Sequence, residues 1–198
     1  MNIKEGRFAV KLARKAIEEW VINGERIKRP EKCEKIFLEK AGAFVTLHTY
    51  PQKDLRGCIG FPYPSMPLVD ALIEAAIHAT QDPRFPPLES NELDKIIVEV
   101  SILTPPERIV VSKPEEYLKK IKIGKDGLII KMGLHSGLLL PQVATEYGWD
   151  VQTFLEHLCQ KAFLPSDAWF SSKAQIFRFQ AEIFSEKKPR GVIEKVKV

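Results

Sequence analysis

Leu55-Arg56-Gly57-Cys58-Ile59-Gly60 decides how the rest of this chain is read. It places a fixed positive charge, a thiol and two glycines at the end of a run with strand character. Gly42–Tyr50 alternates as a preceding strand, and Pro51-Gln52-Lys53-Asp54 turns the chain into Leu55–Phe61. The two runs therefore read as an antiparallel pair. Within the second run Gly57 and Gly60 lack a Cβ, so another backbone or a ligand can approach closely. Arg56 offers a planar fork of donors suited to a carboxylate or phosphate. Cys58 has three open readings: nucleophile, ligand, or small apolar filler. The plain alternative for the whole stretch is a strand with a packed cysteine and an arginine paired to a carboxylate.

Working outward, residues 5–23 read as an amphipathic helix. Phe8, Leu12, Ala16 and Trp20 form one i, i+4 row, Ala9, Ala13, Ile17 and Val21 form the next, and Asn23-Gly24 supplies the stop. After the signature stretch, Ser65 is the expected N-cap of a helix over about 67–81, with Leu68, Leu72, Ala75, Ala76 and Ala79 buried. Asp82-Pro83-Arg84-Phe85-Pro86-Pro87 is a stiff loop, because its three prolines fix φ and restrict their predecessors. It either presents Asp82 and Arg84 to a site or closes the helix end with an Asp82–Arg84 pair.

Ile96–Thr104 reads as a strand whose single carboxylate, Glu99, is either exposed or paired with a cation such as Arg56. A helix over 114–120 follows Ser112 and Pro114, and Lys122–Ile130 has a hairpin signature around Gly124-Lys125-Asp126-Gly127. Asp150 caps an expected helix over about 151–161. Residues 175–184 read as the clearest strand, with Phe177, Phe179, Ala181 and Ile183 toward the core. From Lys187 on, the basic tail is expected to be loose.

The 198 residues suffice for one domain or two small lobes. The pattern is mixed α/β, α+β-like, with a largely antiparallel sheet flanked by helices. A larger lobe of about 1–106 plus 141–198 and a smaller, turn-rich lobe of about 107–140 are expected, with a ligand cleft between them. No apolar run approaches the ~20 residues of a membrane span, and no secretory leader is apparent. Cys33, Cys58 and Cys159 are odd in number and form no C-x-x-C pair, which argues for a reduced, cytoplasmic protein with no disulfide framework and no thiolate metal site. Nothing in the sequence calls for a cofactor or a metal.

The net charge of +4 divides into +4 for residues 1–40, +3 for residues 185–198 and −3 between them. Basic ends alone do not make a nucleic-acid protein, and neither RNP-type interleaving of aromatic and basic residues nor a helix-turn-helix pattern is present, so nucleic acid ranks last as a partner.

Leu55–Gly60 also resembles the hexapeptide signature of the AMMECR family, and the likeness continues in order along the chain. It takes in Phe44-Val45-Thr46-Leu47, Asp82–Pro87, Val98-Glu99-Val100-Ser101, Gly124-Lys125-Asp126-Gly127-Leu128, Ser136–Val143, Trp149-Asp150 and Phe154-Leu155. The resemblance, close to archaeal members, implies a small two-lobed α/β protein of uncharacterised function. By family association it implies a link to radical-SAM or Memo-like proteins. The site expected from residues and resemblance together comprises Cys58 and Glu99 as candidate catalytic groups. Arg56, Gly57, Gly60, Asp82, Arg84, Lys125 and Gln142 are the expected ligand-binding residues. A binding or auxiliary module with an unknown small-molecule or protein partner is the leading expectation. A cysteine-dependent enzyme acting on an anionic small molecule or a modified protein is the alternative.

Overall fold

The computed structural model describes residues 1–196. Its helices are α1 (Ile3–Asn23), α2 (Leu68–Ala79), α3 (Tyr117–Lys120), α4 (Pro141–Glu146) and α5 (Val151–Lys161). Its strands are β1 (Ala43–Thr49), β2 (Leu55–Phe61), β3 (Ile96–Leu103), β4 (Glu107–Arg108), β5 (Gly127–Met132), β6 (His135–Leu139), β7 (Gln175–Phe179), β8 (Ala181–Glu186) and β9 (Ile193–Val196). They fall into two units, one of Met1–Leu103 with the described residues from Glu182 on, the other of Thr104–Ala181.

In the first unit, α1 begins two residues earlier than its apolar rows predict. The Asn2 side chain accepts the Glu5 N–H at 3.0 Å while the Glu5 carboxylate accepts the Asn2 N–H at 2.6 Å. This reciprocal cap satisfies two donors at the helix start. Gly24, at φ 69°, ends the helix by bonding its N–H to the Trp20 carbonyl. Helix α2 is not capped by Ser65. Pro67 occupies the cap position without a side-chain bond, and Arg29 pairs with Asp70 in the first turn.

The sheet order is β2-β1-β3-β8-β9. In β1 and β3, Val45 faces Val100 and Leu47 faces Val98 across the antiparallel register, and all four are fully buried with α1 and α2 in one core. Strand alternation then leaves Phe44, Thr46 and His48 on the other face beside Ser101, Glu99 and Ile97. The basic tail is ordered as far as it is described. Beginning with the Lys187 N–H bonded to the Val192 carbonyl, it folds back as the β8–β9 hairpin. Lys197 and Val198 lie outside the described residues.

The second unit is built on the sheet β4-β7-β5-β6. Phe154, Leu155 and Leu158 of α5 share a core with Leu128, Ile130, Ile176 and Trp169. Residues 141–181 therefore pack with this unit and not with the larger lobe to which the sequence assigns them. The turn at Gly124–Gly127 does not join two strands. The Asp126 carboxylate accepts the Lys122 N–H at 2.9 Å and leads the chain into β5, whose hairpin partner is β6, across Gly133 and Leu134.

The expected single strand over 175–184 is two strands in two different sheets, β7 and β8, broken at Gln180. At the break Gln180 exchanges bonds with Thr104, its N–H to the Thr104 hydroxyl at 2.9 Å and its carbonyl from the Thr104 N–H at 2.8 Å. The core face shifts with it. Ile176, Phe179 and Phe184 are buried, whereas Phe177 and Ile183 are half-buried.

One polar link ties α1 to β8 inside the first unit. Arg14 and Glu186, both buried, form a two-pronged ion pair. Two further Arg14 donors go to the Leu93 and Ile96 carbonyls at 3.1 and 2.8 Å, and Glu186 also accepts the Val98 N–H at 3.0 Å. Removing one partner strands a buried charge, whereas removing both does not. Glu186→Ala is therefore expected to cost about 3–5 kcal/mol in urea unfolding, and the double change Arg14→Met/Glu186→Leu to recover most of that loss.

Candidate functional site on strand β2

The local geometry begins with Gly57. A Cβ there would lie 2.2 Å from the Ala79 carbonyl oxygen, so only glycine lets the end of α2 rest on β2. That approach delivers the loop after α2 to the open edge of the sheet, where β2 is the outermost strand. Asp82, almost fully buried, accepts the Cys58 N–H at 2.8 Å. Arg84 donates from Nη2 to the Cys58 carbonyl at 3.2 Å. Cys58 lies opposite Thr46 of β1, and its own backbone bonds run to these two side chains. Asp82 and Arg84 stand in for a missing neighbour strand and close an edge that would otherwise invite pairing.

The same carboxylate holds Arg84 itself. Asp82 Oδ1 accepts the Arg84 N–H and Nε–H, each at 3.0 Å, and Oδ2 accepts Nη2 at 2.7 Å. These bonds hold the Asp82 carboxyl far below the usual carboxylate range, the Arg84 side chain being the largest cause. Arg84 keeps 56% of its side chain exposed, and its Nη1 has no acceptor among the described residues. Its guanidinium carbon sits 5.7 Å from the Phe85 ring centre, and that of Arg56 sits 6.0 Å from it.

Arg56 is engaged differently. It is only 13% exposed and grips Glu92 with two bonds of 2.8 and 2.9 Å. It also donates to the Pro86 carbonyl at 3.0 Å and the Pro87 carbonyl at 3.4 Å. Its carboxylate partner is thus Glu92, not Glu99. Gly60 is also filled by the protein itself. A Cβ there would meet the Phe44 ring and the Ala43 carbonyl, each at 2.4 Å.

On the outer face Cys58, Thr46 and Glu99 form one cross-strand row. The Thr46 hydroxyl donates to Cys58 Sγ at 3.3 Å. Burial pushes the Cys58 thiol up, against the smaller opposing pulls of Thr46 and Arg84. Glu99 faces His48 instead, with 3.9 Å between Glu99 Oε1 and His48 Nε2, beside an open depression of about 540 Å³ that Lys53, Ile97 and Lys187 also line. Among the described residues no three His, Cys, Asp or Glu side chains gather as a metal-binding set.

The structure thus brings Arg56, Gly57, Cys58, Asp82 and Arg84 together, with Gly60 further along the strand and Glu99 two strands away. Lys125 and Gln142 stand in the second unit, on the turn before β5 and on the first turn of α4. Two partners escaped the sequence reading. Glu92 lies 36 residues from Arg56 with no periodicity to connect them. Thr46 follows only from the hairpin register, which slips at Leu47/His48.

Two outcomes follow. Gly57→Ala, which drives a methyl group into a backbone carbonyl, is expected to destabilise the first unit by about 1–3 kcal/mol or more, read as a lower urea midpoint. Asp82, and Glu92 beside Arg56, both titrate below their ordinary values. Their stabilisation is complete above the unfolded carboxylate range near pH ~4 and is lost as pH falls through the depressed folded values. An acid titration followed by circular dichroism should therefore show a steeper loss of stability below pH ~4 in the parent than in Asp82→Asn/Glu92→Gln.

Among the described residues no helix is long and apolar enough to cross a membrane. Comparison with known proteins supplies the relationship. The chain is 59% identical over 197 residues to protein MJ0810 of Methanocaldococcus jannaschii, covering 98% of this chain and 97% of that protein. It is 54% identical over 194 residues to a protein of Thermococcus onnurineus, covering 96% and 94%. The crystal structure of the uncharacterised protein PH0010 from Pyrococcus horikoshii superposes with a TM-score of 0.86 at 50% identity, covering 100% of this chain and 99% of that one. The AMMECR1 family model matches residues 10–184. With the antiparallel α/β fold and the β2 signature in place, this chain belongs to the AMMECR1 family.

Proposed function

We propose that the protein is a cytoplasmic binding module and that the loop-braced edge of β2 is its recognition surface. Arg84 is the contact for an acidic group on a small molecule or a protein partner. One observation carries this reading: Arg84 is locked by Asp82 and Cys58 along one side of its guanidinium while Nη1 stays unpaired at the surface. A cation fixed in advance loses little side-chain freedom on binding, so more of the contact energy appears as affinity. Arg56, spent on Glu92 and two loop carbonyls, braces the loop and makes no ligand contact of its own. Cys58 supplies backbone to the clamp, and its half-buried thiol is pushed up by desolvation, toward the protonated, poorly nucleophilic form. Cys33, Cys58 and Cys159 are all free thiols, which suits a reducing compartment.

The test joins two readouts on the native full chain. Iodoacetamide labelling of Cys58, followed by peptide mass spectrometry, should show a pH midpoint above the ~8.5 of an ordinary thiol. In host cells deleted for their own copy, Cys58→Ser should restore function and Arg84→Gln should not. A labelling midpoint below pH ~7, together with failure of Cys58→Ser to restore function, overturns the binding reading in favour of a cysteine enzyme.

A further inference from the structure

The second unit holds a pocket that the β2 site does not use. Its volume is about 280 Å³, near the lower end of the ~300–1,000 Å³ range of small-molecule sites. The segment Arg108–Pro114 forms one wall and Trp169–Ser172 another, with Tyr117 also lining it. The walls are strongly aromatic. Phe170, about half exposed, lies with its ring centre 3.8 Å from that of Trp169. Trp169 is itself 2% exposed, and its indole N–H has no hydrogen-bond partner among the described residues. A buried donor left unpaired is rare and costs about 1–3 kcal/mol.

The charge at this pocket has one sign. Arg108 and Lys113 line it, neither is engaged in an ion pair among the described residues, and no carboxylate is among the lining side chains. Of the neighbouring acids, Glu107 pairs with Arg178 and Glu116 with Lys120, whereas Glu115 and Asp167 lie next to lining segments without being among the lining residues. Aromatic walls and two cations without ion-pair partners among the described residues describe the complement of a molecule with an apolar body and one anionic oxygen-bearing end. The planar fork of Arg108 matches a carboxylate.

We propose that this pocket binds an apolar carboxylate: a single ring or branched chain bearing one carboxylate, presented as a free acid or as the C-terminal residue of another protein. The apolar body packs between Trp169, Phe170 and Tyr117. The carboxylate lies between Arg108 and Lys113. This site is independent of the β2 edge and of the function proposed there.

The experiment is a two-dimensional ¹H–¹⁵N titration of the full-length protein, following the Trp169 indole resonance assigned with Trp169→Phe. The probes are 3-phenylpropionate and N-acetyl-Ala-Ala-Phe with a free C-terminus, each compared with its amide. Saturable shifts of the Trp169 resonance with an acid and not with its amide are expected. In Arg108→Gln/Lys113→Gln, which changes two exposed side chains, binding should weaken about fivefold or more while the spectrum stays folded. Tighter binding of the peptide assigns the site to chain ends, and tighter binding of phenylpropionate assigns it to free acids. No shift at millimolar probe, equal response to acid and amide, or unchanged affinity in the double variant overturns the proposal.

Discussion

The buried carboxylate of Asp82 is the constraint on which the β2 region depends. It holds one side of the Arg84 guanidinium, accepts the outward N–H of Cys58 and ends the turn that follows α2. A carboxylate so far from water persists only because each oxygen has charged or amide donors. Its position in turn requires Gly57, since the α2 terminus could not otherwise come down onto the strand. Glycine, aspartate and arginine are thus one structural device drawn from two stretches of chain, with the prolines between them limiting the ways the loop can fail.

This arrangement changes the meaning of the signature hexapeptide. Missing Cβ atoms suggest space for a ligand, yet at Gly57 the space holds a helix carbonyl and at Gly60 an aromatic ring. Arg56 suggests an anion site, yet it is held by Glu92 and two loop carbonyls. The residues with the most distinctive chemistry build the platform, while the exposed and incompletely satisfied guanidinium belongs to the neighbouring proline-rich loop. A motif of this kind is constrained by packing as strongly as a catalytic one would be by reactivity.

Much of this was readable before any coordinates. Helix α1 followed from two i, i+4 rows, the β1–β2 pair from alternation and a proline turn, and α5 from Asp150, which does accept the Thr153 N–H. The Asp82–Arg84 pair was one of two readings the sequence left open, and it was available because the two residues are close in sequence in a stiff loop. What stayed hidden depends on tertiary context. The alternation across 175–184 continues through Gln180 without a sign of the break, because the break is made by Thr104, 76 residues away. The short α4 offers too few turns for a periodic signal. The choice of Glu92 over Glu99 for Arg56 depends on where the loop after α2 lands, which composition does not encode.

The division at Gln180 bears on how the chain is made. The second unit is an insertion between β3 and β8, so the first unit is discontinuous in sequence. During synthesis α1, β1, β2, α2 and β3 leave the ribosome with the β3 edge uncovered and Arg14 without Glu186. The whole second unit must emerge before the strand that supplies both appears. The inserted unit has its own sheet and core and is continuous, so it has the contacts to fold while the first unit waits. The unit whose first strands leave the ribosome first is therefore also the one whose last strands leave after those of the other.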